Sequence, residues 1–126
     1  MKVFQLSKKK FGQLFNLRVM ENKEMWEILV PTQYNDGRSI KTKYHRVWDS
    51  QVYRITGGLT ILTPTKGKWV SPMSGKLFEE KMIPVRIVCT REQINTIIDM
   101  TMEYYDQEAI LAYKIATEVI LKHKAS

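Results

Sequence analysis

Apolar positions change their period several times along the chain, and each change marks an element. The run "MWEILVP" (25–31) is short, apolar and closed by Pro31, and predicts a strand. "QYNDGRS" (33–39) gathers Asn, Asp and Gly and predicts a turn. Ser39 stands where a helix cap would, and Ile40, Tyr44, Val47, Trp48 and Val52 follow at helical spacing. A first helix is therefore expected over 40–54, stopped by Gly57 and Gly58. "LTILT" predicts a strand in the middle of a sheet, "PTKG" a turn, and "KWV" the return strand of a hairpin that carries Trp69. "SPMSGK" (71–76) is a loop and "MIPVRIVCT" (82–90) a further strand. Thr90 and Gln93 form a capping box ahead of Ile94, Ile97, Ile98, Thr101, Met102 and Tyr105. That stripe predicts a second helix over 91–106. "EAILAYKIATEVIL" (108–121) reads mostly as strand, with a last turn that also permits helix.

The order is strand, helix, strand with hairpin, strand, helix, strand. Two such halves fit a ferredoxin-like α+β plan, an antiparallel sheet with both helices on one face. One domain is expected over 23–121. Residues 1–22 precede it as an N-terminal arm or edge strand, and 122–126 follow as a frayed tail.

Trp48, Gly58-Leu59-Thr60, Gly67-x-Trp69, Glu80 and Gln107-Glu108 before the last strand make an ordered pattern. In this pattern the chain resembles a family of small bacterial α+β domains of unknown function, over residues 26–116. The resemblance implies the ferredoxin-like fold and no particular activity.

Charge changes the picture more than composition does. The formal net charge is +7, and residues 1–88 hold 16 basic against 7 acidic side chains, whereas 89–126 hold 4 against 6. Basicity concentrated in this way points to an anionic partner. Fourteen of the twenty cations are lysine, which suits diffuse attraction better than bidentate phosphate recognition. The single cysteine, Cys89, lies in an apolar run and reads as a buried inert thiol. No apolar run is long enough to span a membrane and no signal peptide is recognisable, so a cytoplasmic protein is expected.

Signatures of most enzyme classes are missing: no metal-ligand spacing, no phosphate-cradling glycine loop before a helix, no nucleophile elbow and no recognisable cofactor motif. The candidate catalytic residues are His45 and Asp49, four apart on one helical face, and Glu80 in "FEEKM". Alternation puts Glu80 with Met82 on one face of the strand and Glu79 with Lys81 on the other. Arg86, a charge inside an apolar strand, is a candidate anion holder. Trp69 with Lys66 and Lys68 is a candidate base-stacking and phosphate-contacting group. Tyr104 and Gln107, where the second helix ends, are candidate ligand contacts beside Tyr105, which belongs to the core stripe.

The reading that follows is a small, basic, non-enzymatic binding protein. It self-associates as a dimer or larger ring and holds an anionic ligand, a nucleotide or nucleotide-derived signal. Such a protein would suit a phage or mobile element. Two alternatives stand beside it: a small isomerase, lyase or phosphodiesterase-like enzyme with a cleft between subunits, and diffuse binding to DNA or RNA.

Overall fold

A computed structural model describes residues 22–124. The expected arm at 1–22 falls, apart from Asn22, outside the described residues. The elements are β1 (Glu24–Pro31), α1 (Thr42–Thr56), β2 (Thr60–Ile61), β3 (Thr65–Val70), β4 (Leu77–Cys89), α2 (Arg91–Tyr104) and β5 (Ala112–Ala116). All strand pairs are antiparallel, in the order β2-β4-β1-β5, with β3 also on β4. Both helices pack on one face, α2 over β1 and α1 over β4. This is the α+β, ferredoxin-like arrangement that the element order implies.

The core lies between sheet and helices. Ile28 and Val30 of β1, Val85, Ile87 and Cys89 of β4, Trp48 and Val52 of α1, and Ile94 and Ile97 of α2 are all buried. Trp48 donates its indole N–H to Thr101 Oγ1 at 2.9 Å, and Thr101 in turn donates to the Ile97 carbonyl, so a buried polar link joins the helices with both partners satisfied. Burial pushes the Cys89 thiol up to about 11, which leaves it protonated and unreactive at neutral pH. The capping box of α2 is formed as expected, and the Gln93 amide also donates to the Ile55 carbonyl, tying the start of α2 to the end of α1.

Four local expectations are corrected. Ser39 does not cap α1; it pairs with Gln33 across the turn, and Lys41 holds the cap position without a side-chain bond. On α1 the stripe is narrower than its spacing suggests, because Tyr44 and Val47 are exposed while Trp48 and Val52 carry the packing. "LTILT" is not a central strand and does not pair with "KWV". Instead β2 is two exposed residues, and β2 and β3 lie one after the other along the same edge of β4. Thr60 faces Arg86 and Thr65 faces Met82, so five steps on one strand answer four on the other, the signature of a bulge. Pro84 sits opposite this break. Its missing N–H is cost-free where the neighbouring ladder is interrupted, and its carbonyl accepts from Leu62 N–H at 2.9 Å. The hairpin is β3–β4, closed by the 71–76 loop. The last strand is shorter than expected, Ala112–Ala116, and the chain is irregular from Thr117 to Lys124.

Candidate functional site

The sheet face turned away from the helices collects the unusual chemistry. Along β4 the odd positions Val85, Ile87 and Cys89 enter the core, so the even positions Phe78, Glu80, Met82 and Arg86 look outward from the other face. Register carries their partners to the same side. Trp69 stands opposite Phe78, Gly67 opposite Glu80, Glu27 opposite Arg86, and Tyr113 opposite Glu27.

Two groups form there. On the β3–β4 arm the Trp69 and Phe78 rings stack, with centroids 4.8 Å apart and planes 17° from parallel. Glu80 follows Phe78 on this face, half-buried, and enters no ion pair among the described residues. Its cross-strand neighbour is Gly67, above which the Met82 methyl lies so close that a Cβ there would collide with Met82 Cε. Glycine is therefore what lets Met82 lie flat beside Glu80. Over β1, the buried Glu27 carboxylate accepts from Arg86 Nε at 3.0 Å and from the Tyr113 hydroxyl. That hydrogen bond to a carboxylate raises the Tyr113 pKa, so the phenol stays protonated.

The remaining candidates are placed elsewhere. Alternation sends Lys66 and Lys68 to the helix side of the arm, opposite Lys81 and Glu79, while Trp69 looks the other way. The proposed combination of a stacking Trp69 with phosphate-holding Lys66 and Lys68 is thus not assembled, because neighbouring strand residues point to opposite faces. Lys68 pairs with Glu79 at 3.1 Å, and Arg86 is engaged by Glu27.

His45, Asp49, Tyr104 and Gln107 sit at the helix layer, away from Glu80. His45 Nδ1 lies 2.7 Å from the hydroxyl of the fully buried Tyr105, and the hydroxyl is its hydrogen-bond partner, not Asp49. Burial lowers the His45 pKa, against the nearby Asp49 charge, and burial raises that of Asp49. Tyr104 donates to the Tyr44 carbonyl at 2.9 Å and the Gln107 amide to the Tyr105 carbonyl at 3.1 Å, both bonds that brace the end of α2. Among the described residues, no three His, Cys, Asp or Glu side chains gather closely enough to hold a metal ion. Among them, too, no helix is long and apolar enough to cross a membrane.

Glu27, Phe78 and Tyr113 are missing from the sequence-derived candidates. A signal for one of them exists. Glu27 is the single charge in "MWEILVP" as Arg86 is in "IPVRIVC", and two lone opposite charges in neighbouring apolar strands ask to be paired.

No family model and no curated protein matches the chain. Among solved structures it is similar to a phage SAM lyase in complex with S-methyl-5'-thioadenosine, with TM-score 0.62 and 13% identity over 79% of this chain and 84% of that one. It is also similar to the periplasmic divalent cation tolerance protein CutA from Archaeoglobus fulgidus and to CutA from Xylella fastidiosa. Each of these has TM-score 0.58 and 13% identity over 79% of this chain and 88% of the other. At such identities the likeness is one of fold: the chain has the small α+β architecture that these proteins share.

Proposed function

We propose that the protein is a small self-associating binding protein that holds a nucleoside-containing molecule on the outer face of its sheet. The observation that carries this reading is the Trp69–Phe78 stack beside the half-buried Glu80, on a face that no helix of the described chain covers. A flat aromatic surface stacks any base, worth about 1–3 kcal/mol per base. Among the described residues no helix covers this face, whereas a small ligand normally has most of its surface buried. Exposed Leu111 and Ile115, which share the parity of Tyr113 at the other edge of this face, give a second copy apolar surface to cover, and that copy supplies the other wall. Charge selects the ligand class. The face holds the carboxylates of Glu27 and Glu80 against the Arg86 guanidinium, already committed to Glu27, and the Lys76 ammonium over the Phe78 ring, so charge there is near balance and a nucleoside fits better than a polyphosphate. The S-methyl-5'-thioadenosine held by the phage SAM lyase is such a molecule.

One observation favours a second, enzymatic reading. Glu80 is a carboxylate with no ion-pair partner among the described residues, beside an aromatic pair, which suits a substrate with a cationic reacting centre, as in a lyase acting on SAM. Calorimetric titration of the full chain with S-methyl-5'-thioadenosine, together with native mass spectrometry, tests both. Binding by an oligomer is expected, weakened about tenfold or more, roughly 1.4 kcal/mol, in Trp69→Ala. A monomer throughout the micromolar range, or no heat of binding, refutes the binding reading. Turnover of SAM that is lost in Glu80→Gln but kept in His45→Ala would establish the enzymatic one and place its chemistry on the sheet face.

A further inference from the structure

On the helix side of the molecule, opposite the face described above, the outer surface of α1 carries positive charge, while the exposed acids Glu92, Asp99 and Glu103 belong to the neighbouring helix α2. On α1, Arg46, Ser50 and Arg54 stand four residues apart and form a straight outer stripe, and with Val47 and Gln51 they line a shallow open depression. Lys43 extends the stripe by one turn. At the helical rise the two arginines are about 12 Å apart along the axis. No acid lies on this stripe, since Asp49 is half-buried on the His45 side of the helix. Among the described residues, none of Lys43, Arg46 and Arg54 enters an ion pair.

The β3–β4 arm supplies an independent observation. Lys66 and Lys81 stand directly opposite one another and are exposed, and Lys81 shares the parity of Val85 and Ile87, which places the pair on the helix side. Like charges in facing positions destabilise a strand pair. The next step of the ladder, Lys68 with Glu79, shows the balanced alternative in the same register. A polyanion lying across this side would relieve the Lys66–Lys81 repulsion and meet the arginine stripe at once.

We propose that the helix side binds the phosphate backbone of duplex DNA, with Arg46 and Arg54 as the main contacts and Lys43, Lys66 and Lys81 in support. Guanidinium groups engage phosphate oxygens in pairs of hydrogen bonds. A rigid helix holds two of them at fixed spacing, which matches the fixed rows of phosphates on a duplex. The depression between them is lined by Val47, Ser50 and Gln51, none of them aromatic, while the exposed Tyr44 and Tyr53 stand on the same helix. Contacts of this kind position a protein on DNA without reading its sequence. The surface is separate from the sheet face, and occupation of one leaves the other open.

Fluorescence anisotropy of a short labelled duplex, titrated with the full chain between about 50 and about 200 mM salt, tests the proposal. The logarithm of the binding constant is expected to fall linearly with the logarithm of salt concentration. In the double variant Arg46→Ala/Arg54→Ala, the slope should flatten by about 2 and affinity should drop about tenfold or more, with the circular dichroism spectrum unchanged. Lys66→Ala/Lys81→Ala should weaken DNA binding while raising the melting temperature, a combination that mere structural damage does not produce. The proposal is overturned if no duplex is bound at the lowest salt, if the arginine variant keeps the wild-type slope, or if a single strand of the same sequence binds more tightly than the duplex.

Discussion

The two ends of β4 belong to one strand and live in different environments. From Val85 to Cys89 the strand pairs with β1, and at Val85 and Arg86 with β2 as well, beneath the helices, and Val85, Ile87 and Cys89 are at most 1% exposed. From Leu77 to Lys81 it pairs with β3 alone, and Leu77 is 59% exposed. Pro84, beside the bulge between β2 and β3, marks the joint. The packed end has the additional ladder to β1, which the arm lacks, and burial differs with it. At the packed end, apolar side chains stabilise the fold of one chain. On the arm, Trp69 and Phe78 on one face and Val70 and Leu77 on the other contribute little to that fold and leave aromatic and apolar surface open to contact from outside it. A strand extended past its own core is a device for making contact.

The sharpest way to break this contrast is to truncate one side chain at each end. Ile87→Ala removes a side chain that is 1% exposed and should cost about 2–5 kcal/mol, because the surrounding sheet and helices relax only partly into the cavity. Leu77→Ala should change unfolding free energy by less than about 0.5 kcal/mol, as exposed positions generally do. Urea denaturation with a two-state fit measures both, and a protein-concentration series separates folding from assembly. Equal losses at the two positions would mean that the arm is packed within the chain and would end the comparison.

The same division explains what could be read in advance. Elements whose signal is local and whose burial lies within the chain are legible. The Thr90–Gln93 box, the Ile94–Ile97–Thr101 stripe, the left-handed Gly57 that ends α1, and the apolar "MWEILVP" strand all appear where their patterns put them. The arm is not legible in this way. "LTILT" has strong strand propensity, yet its length as a strand is set by the bulge and by Pro84 on a partner distant in sequence. Nor does propensity say which of β2 and β4 will accept β3. The site divides similarly. Alternation correctly puts Arg86 on the face opposite Val85 and Ile87 and Glu80 with Met82. It could also have set Trp69 apart from Lys66 and Lys68, had strand parity been applied within "KGKW". That His45 would answer to Tyr105 across sixty residues, and Glu27 to Tyr113, depends on tertiary packing that no local window contains.

A smaller effect sharpens the contrast at Gly67. An added methyl at a packed position costs about 1–3 kcal/mol. In Gly67→Ala the obstacle is only the Met82 methyl, the free end of a flexible side chain, and alanine loses less chain entropy than glycine on forming a strand. The expected change in unfolding free energy is therefore within about 0.5 kcal/mol of zero. Ligand affinity on the sheet face should nevertheless fall, because the displaced Met82 moves over the space beside Glu80. Thermal melting and the calorimetric titration read the two effects separately. A large loss of stability with unchanged affinity would show that Met82 is a packing residue and not part of a binding surface.

The smallest expected effect concerns acid, and it acts on the packed end alone. Tyr105 is fully buried and its raised pKa keeps the hydroxyl protonated, so the O–H must find an acceptor; His45 Nδ1, at 2.7 Å, accepts, and the imidazole proton resides on Nε2. Burial holds the pKa of His45 below its ordinary value of 6.5. The unfolded chain therefore takes up a proton first as pH falls. Stability from this group is fully present above about 6.5 and is lost progressively as pH drops from there through the folded-state pKa. Asp49 works in the opposite sense, since its raised pKa lets the folded state bind a proton more readily than the unfolded one in acid, and it offsets part of the loss. The net result is a modest fall in melting temperature on acidification from about pH 7.5 to about pH 5.5, where histidine titrates. His45→Asn places an amide oxygen near the position of Nδ1, keeps an acceptor for Tyr105 and cannot titrate, so its melting temperature should depend less on pH than that of the wild type. Parallel pH profiles for the two proteins would show that the Tyr105 hydroxyl does not rely on a neutral His45.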